Sequence, residues 1–264
     1  MFIIVINLCE DMIKYVDAHA HMSEDIFDAD RKKILGECRK NGIAVINCSG
    51  TLESNRKALK LAKEFKELKL CLGIYPIQAA EMSDKAFFDE LEFIKQNADK
   101  LVGIGEVGLD FYWIKDDEKR RRETERFREI IWMANKLKLP LNVHTRDATA
   151  ESVAILAQTA HVPVVLHSFV GEQNVAEIAV KNGFYISVPV NVVFNKQRQK
   201  LVESLPIGNI LTETDCPYLG PESGKRNDPL NIPLGLKKIA EIKKIDEEDA
   251  RTIILDNAKR VFRI

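Results

Sequence analysis

The stretch "DAHAH" sets Asp17, His19 and His21 at alternate positions of an apolar run. On a β-strand, alternate residues share a face. The spacing therefore predicts one face carrying all three polar groups, with Val16, Ala18 and Ala20 on the other. Two imidazoles at one strand end can converge on a metal ion, although surface histidines would fit this fragment equally well. Other polar residues stand out in the same way. Glu106 lies in "LVGIGEVGLD", His144 in "LPLNVHTR", His167 in "VPVVLHSF" and Asp215 in "NILTETDCP", each near the C-terminal end of its run. His161 is the one histidine of five outside such a position. A buried histidine or glutamate costs free energy unless it is paired or metal-bound. Imidazole with carboxylate suits Zn²⁺, Mn²⁺, Fe²⁺ or Co²⁺ better than Ca²⁺. Two ions about 3.5–4 Å apart need a bridging carboxylate, and a hydroxide held between them is a nucleophile at neutral pH.

Such convergence requires elements that bring distant residues to one rim. Eight short β-branched runs, at 15–21, 43–50, 69–76, 101–110, 139–146, 162–169, 184–190 and 209–217, alternate with amphipathic stretches. Strand–helix alternation means parallel strands joined by crossover helices. Eight repeats in this length predict a single-domain (β/α)₈ TIM-type barrel, whose active site lies at the C-terminal strand ends. An open doubly wound sheet would usually carry a glycine-rich loop after its first strand; "DAHAHMSED" contains no glycine. The barrel is expected to span residues 1–264, with 1–14 as an N-terminal extension packing on it. "MFIIVINL" is too short to cross a bilayer and lacks the features of a signal peptide. It reads as an extra strand or packing arm, and Met12 is an alternative start.

The charge balance excludes a global field for nucleic acid: 39 basic and 40 acidic residues leave a net charge of −1. A polyanion would have to be held locally. The stretch "KDDEKRRRETERFRE" (115–129) reads as a solvated helix of alternating sign, not a DNA-binding patch. The five scattered cysteines form no CxxC pair, which points to free thiols and a cytoplasmic protein. Cys216, beside Asp215, reads as a small packed residue.

In chain order, "DAHAH", "GEVGLDFY", "NVHTRDA", "LHSF", "ETDCPYL", "GKRNDP" and "DNAKRVF" resemble the successive signatures of the TatD-type metal-dependent hydrolases of the amidohydrolase superfamily. The resemblance covers nearly everything from residue 15 on. It implies a nuclease dependent on divalent metal, trimming single-stranded DNA, with RNA a further candidate, from the 3′ end. By position, His19, His21, Glu106 and Asp215 would hold one ion. Glu106, His144 and His167 would hold a second, Glu106 bridging and Asp215 accepting a proton from the attacking water. Zn, Mn, Mg and Co are the candidate metals. Alanine between the first two histidines and "HSF" for the commoner "HCF" depart from the pattern.

A nuclease must also grip a phosphodiester. Arg146 is two residues past His144, on the same face, and its guanidinium fork suits two phosphate oxygens. Lys225 and Arg226, in a Gly/Pro-rich loop, could reach an adjacent phosphate. Tyr112, with Phe111 and Trp113 around it, could stack on an unpaired base. The alternatives are hydrolysis of another bond, such as an aminoacyl-tRNA ester or a C–N bond, because fold and metals do not fix the substrate, and a non-catalytic partner protein. Asp17 is expected to fix the His19 ring or to form an interior ion pair. No membrane and no obligate protein partner are expected.

Overall fold

The computed structural model describes residues 13–264, so most of the N-terminal extension lies outside the described residues. Eight strands follow the predicted runs: β1 (Tyr15–Ala20), β2 (Ile43–Ser49), β3 (Leu68–Leu72), β4 (Gly103–Asp110), β5 (Leu141–Arg146), β6 (Val164–Leu166), β7 (Tyr185–Pro189) and β8 (Ile210–Glu213). They pair in chain order, all parallel. The helices between and after them are α1 (Arg31–Lys40), α2 (Leu52–Glu64), α3 (Pro76–Glu81), α4 (Asp84–Gln96), α5 (Asp117–Leu137), α6 (Thr149–Thr159), α7 (Gln173–Lys181), α8 (Lys196–Ser204), α9 (Ile232–Lys243) and α10 (Glu247–Phe262). The chain is the expected single-domain TIM-type barrel.

The hydrophobic core has two layers, as barrel closure demands. Val16, Ala18, Ala44, Ile46, Cys48, Cys71, Val165 and Leu211 form one cluster with Leu255, Ala258, Val261 and Phe262 of α10. A larger cluster packs the other strand faces against the helices. The seam between β8 and β1 is closed by individual bonds. Thr212 Oγ1 donates to Val16 O (2.9 Å), the Asp215 N–H to His19 O (2.8 Å), and the His21 N–H to Cys216 O (2.9 Å).

Register shifts interrupt two ladders: β1–β2 between Asp17 and Ala20, and β4–β5 between Ile104 and Val107. Such bulges bend a strand and re-aim a side chain. Here they fall at His19 and Glu106. The glycines of β4 permit the close approach: a Cβ on Gly105 would meet Asn142 Cβ at 2.7 Å, and one on Gly108, at φ +141°, would meet His144 O at 2.0 Å.

Candidate metal centre

The six predicted side chains meet in one cup at the C-terminal ends of the strands. His19 ends its hydrogen-bonding reach on one side at Asn142, with Nδ1 2.8 Å from Oδ1. The Asn142 amide donates to Ala18 O (2.8 Å), which fixes the amide orientation and so makes Nδ1 of His19 the donor. His21 Nδ1 lies 2.9 Å from Cys48 O, an acceptor only. In both rings, the lone pair of the neutral imidazole is left on Nε2. Those two nitrogens face each other at 3.2 Å. Asp215 Oδ1 lies 3.7 and 3.2 Å from them, and Glu106 Oε2 3.8 and 3.6 Å. Four acceptors therefore converge with no donor among them; only a cation or a captured proton satisfies them all.

The second half repeats the logic. His144 Nε2 lies 3.2 Å from Asp110 Oδ2, leaving Nδ1 aimed at His167 Nε2 (3.1 Å) and Glu106 Oε1 (3.0 Å). His167 Nε2 is also 3.0 Å from Glu106 Oε1. Glu106 thus offers one oxygen to each half. His19 and His167 stack across the cup, with ring centroids 3.8 Å apart. Ligand atoms of His19, His21 and Glu106, and those of Glu106, His144 and His167, each lie within 4.8 Å of one another. The residues fit divalent cations on donor chemistry alone.

Supporting groups were harder to see in the sequence. Among the described residues, Asp17 makes no hydrogen bond to the His19 ring and no ion pair. It accepts from Thr214 N (2.8 Å), Thr214 Oγ1 (2.5 Å) and the His19 backbone N–H (3.3 Å), so it latches β1 to β8. The bulge after Asp17 breaks the strict alternation on which the ring-fixing expectation rested. Its place is taken by Asn142, 123 residues away. Asp110 holds His144 and also accepts from Tyr75 Oη (3.1 Å). The Asp110 backbone N–H in turn donates to Glu123 Oε1 on α5 (2.6 Å). The start of α5 is therefore not wholly solvated: Glu123 is buried, and so is Arg126, which binds Met82 O (2.8 Å) and Asp84 (2.5 Å). Glu213 is buried, takes the Ser187 hydroxyl on Oε2, and leaves Oε1 unpartnered; its Oε2 is 3.9 Å from His167 Nδ1, itself unpartnered.

The electrostatics follow from this crowding. Burial, then the facing His167, holds the His19 pKa down at about 3. Burial also opposes charge on His21, but the Asp215 hydrogen bond and the Glu106 field overcome it and lift His21 to about 10. His144 rises to about 9 by the same contest, with Asp110 and Glu106 prevailing. Glu106 and Asp215 are held below the usual carboxylate range: the surrounding imidazoles outweigh desolvation. Burial raises Glu213 to about 7.

The backbone is strained at the same rim. Asp147, Ser168, Asp215 and Leu219 adopt left-handed φ between 46° and 55°. Non-glycine residues seldom do so, and such strain clusters at functional sites.

The profile of the TatD-related DNase family matches residues 16–263. The chain belongs to that family. It is 34% identical over 260 residues to the human deoxyribonuclease TATDN3, covering 94% of each chain. It is 32% identical to YabD of Bacillus subtilis, a protein named as an uncharacterized metal-dependent hydrolase, covering 94% of this chain and 98% of that one. The crystal structure of the TatD homologue YJJV from Escherichia coli superposes with a TM-score of 0.87 at 23% identity, covering 96% and 99% of the two chains, and shows the same fold.

In this TatD-family metal-dependent hydrolase, the mouth residues differ in what they have free. The Arg146 guanidinium lies over the Tyr112 ring (3.9 Å to the centroid) and near Trp113 (5.7 Å). Stacking occupies the face of the guanidinium and leaves its in-plane N–H groups open. Tyr112 and Trp113 are 43% and 59% exposed. Arg226 is instead engaged with both carboxylate oxygens of Asp30 and with Ile26 O, so its fork is filled. Lys225 is exposed and pairs with Glu222. Cys216 is buried with Sγ 3.7 Å from Met22 Sδ. Tyr218, unmarked in the sequence reading, is exposed with its ring 6.2 Å from that of His21. No helix among the described residues is long and apolar enough to cross a membrane.

Proposed function

We propose that this hydrolase cleaves phosphodiester bonds of single-stranded DNA from the 3′ end, with RNA strands as a further substrate class. The observation that carries the reading is Arg146: a cation with open N–H groups, two residues from His144, lying on two exposed aromatic rings. A guanidinium fork suits phosphate, and exposed rings suit unpaired bases, which present their faces only outside a duplex. Tyr218 supplies a third ring beside His21. The 3′ polarity and the single-strand preference are drawn from the family resemblance.

His19, His21, Glu106 and Asp215 would hold one divalent ion, and Glu106, His144 and His167 a second. Such ions, when bound, polarise a phosphoryl oxygen and acidify water so that it attacks at neutral pH. The chain's own residues do the rest. Asp215, at the partly exposed rim of the cup, accepts the proton from the attacking water. Arg146 fixes the phosphate and offsets the charge that grows on its oxygens. Asn142, Asp110 and the Cys48 carbonyl hold three imidazoles in the tautomer and direction that the cup requires.

The test is digestion of 5′-labelled single-stranded DNA, duplex DNA and RNA by metal-supplemented enzyme, with a panel of neutral esters alongside. A ladder shortening from the 3′ end on single strands is expected. Replacing Arg146→Met should raise KM for the strand about tenfold, the scale of one charge-assisted contact. An unchanged KM, or turnover of esters without any phosphodiester cleavage, would defeat the reading.

A further inference from the structure

A second guanidinium reaches the cup from an unexpected direction. Arg198 belongs to the first turn of α8, after β7. Its Nη2 donates to the Ser168 hydroxyl (2.9 Å). Ser168 directly follows the candidate ligand His167 and holds a left-handed φ of 46°. The Arg198 Nε is buried and has no hydrogen-bond partner. No carboxylate lies within 4.0 Å of Arg198 among the described residues.

The other inward-turned arginines contrast with it. Arg31 donates to Met22 O, Glu24 O and Asp28. Arg126 donates to Ala79 O, Met82 O and Asp84. Each fills most of its donors with carbonyls and a carboxylate. Arg198 is half-buried: its Nη2 has one neutral hydroxyl, and its Nε is buried with no acceptor at all. A guanidinium cannot lose its proton to escape the cost of burial, so the missing partner is an acceptor, and an anionic one repays desolvation best. The helix end is not the attraction: the Asn195 side chain already caps the N–H groups of Gln197 and Arg198. The acidic residues Glu213 and Asp215 are close enough to act on Arg198 through space but do not bond to it.

We infer that Arg198 and the Ser168 hydroxyl form a phosphate-binding subsite beside His167, separate from Arg146, that takes a phosphate group of the bound strand. The inference rests on the phosphodiesterase reading for its substrate, though not for its chemistry. Arg146 is exposed and braced by stacking, which suits capture. Arg198 is recessed and held by one hydroxyl, which suits a second, deeper contact made once the strand is seated. Two guanidiniums, one ending β5 and one opening α8 on the other side of β6, would fix both position and orientation of a phosphodiester, where one fixes position alone.

The experiment titrates inorganic phosphate calorimetrically into metal-loaded native enzyme and into Arg198→Met, Arg198→Lys and Ser168→Ala. Metal content and melting temperature are measured on each. Arg198→Met should weaken phosphate binding at least tenfold at unchanged metal content. Arg198→Lys should recover part of it, and Ser168→Ala should lose several-fold. KM for an end-labelled strand should rise with the phosphate dissociation constant while kcat moves less. Equal phosphate affinity in native and Arg198→Met protein would overturn the inference, as would loss of metal in parallel with loss of phosphate, since Arg198 would then be buttressing His167. If the native enzyme binds phosphate through Arg198 yet cleaves no nucleic acid, the subsite stands and the nuclease reading falls.

Discussion

Asn142→Leu separates a residue that orients a ligand from one that merely fills the barrel. The amide accepts from His19 Nδ1 and donates to Ala18 O, both at 2.8 Å and both buried. Leucine has the same branching and the same number of side-chain heavy atoms, so no cavity opens. Two buried polar groups lose their partners, at about 1–3 kcal/mol each, so the metal-free protein should lose roughly 2–6 kcal/mol. For a chain of this size that lowers the melting temperature by about 4–24 °C, at about 2–4 °C per kcal/mol. A second effect is specific to the cup: His19 becomes free to present the wrong tautomer or to rotate. Removing such a partner typically costs about 10–100-fold in metal affinity. Asn257→Leu supplies the control. Asn257 Nδ2 donates to Ile207 O and Ile210 O, both at 2.9 Å, far from the cup in β8–α10 packing. Urea unfolding of the metal-free proteins and metal titration against a competing chelator measure the two effects separately. Both variants should be destabilised, and Asn142→Leu alone should lose metal affinity. Indistinguishable affinities would show that Asn142 acts only on stability and that His19 needs no orienting partner.

Glu106→Gln should leave the fold intact, lower metal content below half, and abolish turnover, because one neutral amide cannot serve both halves of the cup; elemental analysis and a strand-digestion assay check this, and full occupancy would remove the shared-ligand assignment. Metal binding should release protons. Metal-free, His21 and His144 carry them to about pH 10 and pH 9, whereas a metal takes the neutral imidazole. Affinity should therefore climb steeply from pH 6.5 to 9, more gently from 9 to 10, and flatten above, as seen by titration in buffers of different ionisation enthalpy; a flat profile would contradict the raised values. The same shifts fix the sign for stability. Folded values above the ordinary 6.5 contribute fully below pH 6.5 and are lost as pH rises through 9 and 10. The metal-free protein should thus melt progressively lower across that window, and the metal-loaded protein should not.

The parts of the site legible in the sequence are those with a local signal. Each ligand is a polar residue inside or at the end of an apolar run, and the eight runs alone set the barrel and its rim. His167 and Asp215 fall just beyond the ends of β6 and β8, yet the pattern still located them. Helices α1 and α3 carry a weak signal: α1 is highly charged, and α3 is a short helix opened by Pro76, the last residue of the third apolar run. The orienting groups were hidden for a different reason. Asn142 acts on a residue in β1, Glu123 acts through the Asp110 backbone, and Arg198 reaches Ser168 from another crossover. Their meaning lies in pairings made only by closure, and the bulges that re-aim His19 and Glu106 leave no mark in alternation.

Closure and metal binding share the same bonds. The β8–β1 seam is held at the rim by Asp215 N to His19 O and His21 N to Cys216 O, and just beneath by Thr214 on Asp17. Three of the residues whose backbones close the barrel there are candidate ligands. An ion drawing His19, His21 and Asp215 together pulls on both sides of that seam. Binding should therefore stabilise the native state by RT ln(1 + [L]/Kd), about 2.7 kcal/mol at a metal concentration of 100 Kd, with the seam held more firmly than the rest. Amide protons of His21 and Asp215 report on it directly: their hydrogen exchange should slow on metal addition, while those of the β2–β3 ladder, whose strands carry no candidate ligand, should change only with global stability. Equal slowing in both places would mean that the metal acts on the fold as a whole and that the seam has no special part in holding the cup.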